Sequence, residues 1–210
     1  MLNKEIDKVI NSIPNGVTIV AATKYVDSFD MRSLYKLGIK DYGENRVDSF
    51  LKKYEELSDL KDVKWHFIGH LQRNKAKQII NKIHYLHSLD SLELAQIIDK
   101  ERIEPLNTFV EISINLEESK NGVPYYQAEE FIKSLLKYKN IKLVGLMMMA
   151  IKGSLNTEEQ FEKLTSLRNE LENKLNIKIP YLSMGMSDDY LEAIKAGATH
   201  VRLGRILYKI

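Results

Sequence analysis

Strand-like runs of four to eight residues alternate along this chain with stretches whose apolar positions recur every three or four residues. The runs are VTIVAA (17–22), IKDY (39–42), VKWHFI (63–68), KIHYLHS (82–88), NTFVEISI (107–114), IKLVGLMM (141–148), PYLSM (180–184) and THVRLG (199–204). The spacing between them predicts helices over 28–37, 45–59, 73–80, 90–102, 124–138, 156–175 and 187–196, with Leu164, Leu167 and Leu171 marking one apolar stripe. A short helix over 3–12 precedes the first strand and stops at Pro14 and Gly16. Regular alternation of this kind predicts a parallel sheet covered by helices. Eight strand candidates fit an α/β fold of the single (β/α)8 TIM-barrel type, with an open parallel sheet as the rival.

The residues just past each strand favour the barrel. Lys24, Glu44-Asn45, Gly69-His70, Asp90-Ser91, Asn115, Ala150 and the segment from Ser183 to Ser187 all lie at such positions. In a closed barrel these ends converge on one face, where active sites are built. No linker rich in glycine, proline or serine interrupts the chain, so residues 1–210 are expected to form one domain, with 1–13 as a leading helix.

Composition narrows the function. The sequence has 31 Lys plus Arg against 29 Asp plus Glu, a net charge of +2, so nucleic-acid binding gains no general electrostatic support. The charges are interspersed, and KKYEELSDLKD reads as the solvated face of a helix. There is no cysteine, which removes disulfides, thiolate catalysis and thiolate-bound metal together. His66 and His70 lack a third firm partner, so no metal site is expected. The polar N-terminus and the absence of a long apolar run predict a cytoplasmic protein that does not enter a membrane.

Two regions carry candidate chemistry. Lys24 comes just after a six-residue apolar strand, so its base should be held firmly. It is either a solvated strand end or an amine at the barrel mouth, where partial desolvation would favour the neutral nucleophile able to condense with a carbonyl compound. Far along the chain, LSMGMSDDYLEAI (182–194) joins a strand to a helix: Gly185 permits a tight turn, Ser187 or Asp188 can cap the helix, and free amides at its start can take phosphate. THVRLGRI (199–206) adds Arg202 and Gly204 at the last strand, and barrels commonly hold phosphate in the loops after strands seven and eight. Asn45 is either a hydrogen bonder in the mouth or a helix cap. The Met147–Met149 run fits core or mouth packing.

The blocks VAATK, DYGENRV, KWHFIGHLQRNK, SLDS, ISINLEESKNG, GLMMMA and LSMGMSDDYLEAIKAGATHVRLG resemble the pyridoxal phosphate homeostasis proteins, whose fold is similar to the barrel of the fold-type III alanine racemases. The resemblance implies that Lys24 forms an aldimine with pyridoxal 5'-phosphate. It further implies that Asn45 lines the cofactor site and that Ser183, Gly185, Ser187, Gly204 and the backbone near Arg205 hold the phosphate. Arg202 would face the pyridine nitrogen, and Ser119, Lys120 and Gly122 match a block whose task is less defined. A cation beside that nitrogen disfavours its protonation and weakens the ring as an electron sink. Only six residues come after Gly204, so the racemase C-terminal domain and its tyrosine are not expected. The implied role is a monomeric carrier or buffer of the cofactor, with PLP-dependent apoenzymes as recipients. The alternative is a weak racemase-like enzyme acting on small amino acids. One departure concerns the phosphate: Arg205 stands where a small hydroxyl residue is usual.

Overall fold

Eight parallel strands close into a ring. The computed structural model describes residues 2–114, 121–151 and 156–208. Its strands are β1 (Thr18–Ala22), β2 (Asp41–Glu44), β3 (Lys64–Phe67), β4 (Tyr85–Leu89), β5 (Leu106–Ser113), β6 (Val123–Pro124), β7 (Ile141–Met147), β8 (Tyr181–Ser183) and β9 (His200–Leu203). The order runs β4-β3-β2-β1-β9-β8-β7-β5, and β4 pairs with β5 to shut the barrel. The two-residue β6 lies outside this ring, on β5 alone. The open-sheet alternative is therefore excluded by the β4–β5 ladder.

Helices α1 (Ile6–Asn11), α2 (Ser28–Lys36), α3 (Val47–Glu56), α4 (Arg73–Ile79), α5 (Leu92–Glu101), α6 (Ala128–Leu135), α7 (Thr157–Leu175) and α8 (Tyr190–Lys195) supply the outer layer. Most sit where the periodicity places them. Asp27 caps α2, its carboxylate accepting from the Asp30 amide at 3.0 Å. The largest correction is at 124–138, where a short strand and a 3-10 turn (Tyr125–Gln127) come first and α6 spans only Ala128–Leu135; α8 begins three residues later than expected.

The apolar core is in two parts. The larger part lies between the sheet and the helices and includes Met31, Leu34, Phe50, Leu164 and Leu203. The smaller lies inside the ring, where Phe109, Val144 and Met147 pack with Tyr85 and Tyr181. Gly145 makes room for it: a β-carbon there would fall 2.5 Å from the Phe109 ring. The remaining interior is polar. Asp41, His66, His87, Ser183, His200 and Arg202 share it, and the aromatic rings separate most of that group from water. Met147 and Met148 are core as expected, whereas Met149 is 53% exposed.

Candidate functional site

β1 delivers the first site residue. Its ladder to β2 continues through the Thr23 amide, which donates to Gly43 O at 2.9 Å, and the chain then turns. The Val26 amide closes that turn on Thr23 O at 3.2 Å, so Lys24 and Tyr25 form its tip. Lys24 is exposed, and its Nζ lies 4.8 Å from the centre of the Tyr25 ring. The expected desolvation is thus corrected. At a turn tip the side chain leaves the barrel wall, and what the fold fixes is its base.

Across the mouth, β8 and β9 supply the opposite wall. A cavity of about 720 Å³ is lined by Lys24, Ser187, Asp188, Arg202, Gly204 and Arg205, among others. Its size suits a small organic ligand. Ser187 Oγ accepts from the amides of Gly204 at 3.2 Å and Ile206 at 3.3 Å, which leaves its hydroxyl hydrogen to donate outward. Gly185 holds the preceding turn at φ +89°, where a β-carbon would overlap Ala193 at 2.6 Å.

Neither Ser187 nor Asp188 caps α8. Asp189 occupies that position, and its carboxylate accepts from the Met186 amide at 2.6 Å, within the loop and not on the helix. The extra turn keeps Ser187 free to meet the β9 loop. Asp188 instead pairs with Arg205 at the exposed rim, so the cation that replaces the expected hydroxyl is neutralised by a neighbour.

Ser183 is corrected in place. It is fully buried inside the ring and does not line the cavity. Its Oγ accepts from Arg202 Nη1 at 2.6 Å and lies 2.8 Å from His87 Nδ1. Arg202 Nη2 donates to Met148 O at 2.8 Å. The chain continues from His87 Nε2 to His66 Nδ1 at 2.9 Å and from His66 Nε2 to Asp41 Oδ1 at 2.9 Å. With Asp41 ionised and both rings neutral, a single arrangement gives every link a donor and an acceptor. Arg202 donates to Ser183, Ser183 to His87, His87 to His66 and His66 to Asp41.

Electrostatics support neutral rings. Burial holds His66 below its ordinary value, and burial with the adjacent His66 holds His87 well below. Burial brings His200 down to about 4. Burial also draws the Arg202 guanidinium down to about 10, against the pull of Glu111 and Asp189.

Other expectations meet the structure unevenly. Asn45 does not line the Lys24 cavity, and its Oδ1 is buried with no partner among the described residues. His66 and His70 diverge, since His70 faces Asp90 at 3.5 Å near the surface. Ser119 and Lys120 lie outside the described residues, and Gly122 takes a left-handed turn at φ +114° beside Glu111. Sequence reasoning missed the Asp41–His66–His87 chain. Three histidines on inward strand positions were the available signal. It also missed Glu111, which is only 4% exposed and is pushed up to about 7 by burial and by Asp90.

Residues 15–210 match the family model for the alanine racemase N-terminal domain. The pyridoxal phosphate homeostasis protein of Aquifex aeolicus (strain VF5) is 41% identical over 199 residues, covering 92% of this chain and 87% of that one. The chain belongs to the pyridoxal phosphate homeostasis proteins, within the alanine racemase N-terminal domain family. The human member is 34% identical, over 90% of this chain and 75% of its own. Among solved structures, PipY of Synechococcus elongatus PCC7942 with PLP bound superposes with a TM-score of 0.91 at 28% identity, covering 98% of this chain and 99% of that one. An alanine racemase of Clostridium difficile 630 shares the fold, with a TM-score of 0.81 at 17% identity, and its match spans 98% of this chain but 56% of the racemase. The family is thus fixed by sequence, and the barrel is the part it has in common with racemases.

Proposed function

We propose that this chain binds pyridoxal 5'-phosphate, with Lys24 as the covalent attachment point, and serves to hold and release it within the cell. One observation carries the reading. A primary amine, a hydroxyl whose hydrogen has no acceptor among the described residues, a glycine loop and a buried guanidinium line the same cavity, although they come from opposite ends of the chain. That set fits a phosphorylated aromatic aldehyde. Ser187 and the Gly204 loop would hold the phosphate, Arg202 would meet the ring, and Lys24 would take the aldehyde carbon. The homeostasis proteins named above and the PLP-bound PipY support the same assignment.

When bound, the cofactor supplies an aldehyde and an aromatic ring that can accept electron density. The protein's own groups favour retention over turnover. Arg202, drawn down by burial only to about 10, stays cationic at neutral pH, and Ser183 Oγ and Met148 O hold its two terminal nitrogens in place. A fixed cation opposes protonation of a nearby ring nitrogen. Efficient proton transfer also needs an acid or base held within hydrogen-bond reach. Tyr25, on the cavity wall, meets the Lys24 amine with its ring face and is 69% exposed. Asp189 is committed to the Met186 amide.

Borohydride reduction of protein incubated with pyridoxal 5'-phosphate, then peptide mass analysis, tests the reading. A reduced adduct on Lys24, absent from Lys24→Ala, is the expected result. Protein that acquires no adduct overturns it. Deuterium exchange at the α-carbon of small amino acids then separates carrier from enzyme. The carrier reading requires exchange far below the roughly 1–1000 per second of ordinary enzymes, and a rate within that range establishes the racemase-like alternative.

A further inference from the structure

The sequence places Lys53 on a solvated helix face, yet it is 6% exposed and reaches inward from α3. Its Nζ donates to Glu44 Oε1 at 2.5 Å and to Thr23 O at 2.5 Å. Glu44, on β2, is fully buried, and the same oxygen accepts from Thr23 Oγ1 at 2.6 Å. Glu44 Oε2 has no partner among the described residues. Burying a lysine and a glutamate together costs on the order of several kcal/mol per ion before their attraction offsets it, so such a pair is weak evidence of a purely stabilising role.

The contact that gives the pair a task is Thr23 O. This carbonyl belongs to the peptide group that immediately precedes Lys24. It also accepts from the Val26 amide, closing the turn whose tip carries Lys24. One oxygen therefore receives both the hydrogen bond that defines the turn and a charge-assisted bond from Lys53. Glu44 in turn fixes Lys53 and the Thr23 hydroxyl. Three elements, β1, β2 and α3, meet at the base of a side chain that is otherwise exposed.

We infer that Glu44 and Lys53 are positioning residues, which clamp the Thr23 carbonyl so that Lys24 is presented to the cavity in one orientation. The inference rests on the proposed role of Lys24 and adds residues that do not line the cavity. In the attachment step the neutral Lys24 amine bonds through Nζ to the aldehyde carbon, the carbon–oxygen bond breaks, and the oxygen leaves as water with the two hydrogens the amine gives up. The clamp takes no proton in that step. It limits where the amine can be, and misplacement of a reacting group by about 1 Å can cost on the order of a hundredfold.

The informative protein is the double variant Glu44→Gln/Lys53→Met, because removing both charges avoids leaving one of them buried alone. Three quantities are compared with the wild type. They are the thermal unfolding temperature, binding of pyridoxine 5'-phosphate, which has an alcohol in place of the aldehyde, and the rate of borohydride-trapped attachment of pyridoxal 5'-phosphate at Lys24. The expected result is a folded protein that binds the alcohol analogue as the wild type does but attaches the aldehyde roughly ten- to a hundredfold more slowly. Attachment at the wild-type rate overturns the inference. If the double variant does not fold, Thr23→Val serves instead. It removes one link to Glu44, and it is expected to speed hydrogen exchange at the Val26 amide and slow attachment together. Unchanged attachment despite faster exchange overturns the clamp. Failure of the proposed function gives a different pattern, since the wild type itself would then acquire no adduct on Lys24.

Discussion

Arg202 donates through Nη1 to Ser183 Oγ at 2.6 Å, deep inside the ring, while the same arginine lines the mouth. The bond joins the ligand cavity to a polar chain that ends on Asp41 at the start of β2. A serine placed by motif at the phosphate end thus works one layer lower, as the acceptor that orients a buried cation.

Replacing Ser183 by Ala should expose the cost of that arrangement. Arg202 Nη1 and His87 Nδ1 would both lose their partner at a point where Ser183 and His87 are fully buried. A buried group left unpaired costs about 1–3 kcal/mol, and more when charged. Urea unfolding should show a loss of about 2–4 kcal/mol. A loss within experimental error would mean that water or another group replaces the hydroxyl.

Glu111 predicts a pH dependence. Its folded value, about 7, lies above the ordinary 4.5 because burial disfavours the carboxylate. Its contribution to stability is present in full below pH 4.5 and is lost as pH rises to about 7, since the folded state there holds a proton that the unfolded chain has released. Comparing Glu111→Gln with the wild type across that interval should reveal a relative gain for the variant of up to about 3 kcal/mol. Parallel curves for the two proteins would remove Glu111 as a titrating group.

His200 works in the opposite sense. Burial brings it from 6.5 to about 4, so between these values the unfolded chain binds a proton that the folded protein does not. Stability should therefore rise with pH through that window. Urea midpoints measured at intervals from pH 4 to 6.5 should climb less steeply in His200→Phe than in the wild type. An equal slope would assign the acid sensitivity to the other buried histidines.

Gly185→Ala is expected to damage the Ser187 loop. The new β-carbon would combine a left-handed backbone with overlap on Ala193. Left-handed strain costs about 1–2 kcal/mol and overpacking about 1–3 kcal/mol, so unfolding should show a stability loss of about 2–5 kcal/mol in all. Retention of pyridoxine 5'-phosphate should weaken in parallel. A variant as stable as the wild type would show that the loop can shift without consequence.

Much of this is written into local sequence. Strand and helix periods repeat over a few residues, so the eight-fold alternation and the convergence of strand ends can be read directly, and Lys24, Ser187 and Gly204 stand out on that basis. Local rules also fail in local ways. The acidic pair after Ser187 suggests an immediate helix, but the Asp189 carboxylate takes the Met186 amide and the helix begins at Tyr190. KKYEELSDLKD has the composition of a wet helix face, and nothing within that stretch distinguishes Lys53 from Lys52. Only Glu44 and Thr23, brought beside it by barrel closure, make its burial tolerable.

By itself, then, the chain determined the order of its elements and the family to which it belongs. The closed ring decided which polar groups share an interior. His87 and Ser183 are separated by 96 positions and meet at 2.8 Å only because β4 and β8 face each other across it. Hydrogen-bond partners and desolvation depend on such distant neighbours, and no short-range pattern specifies them.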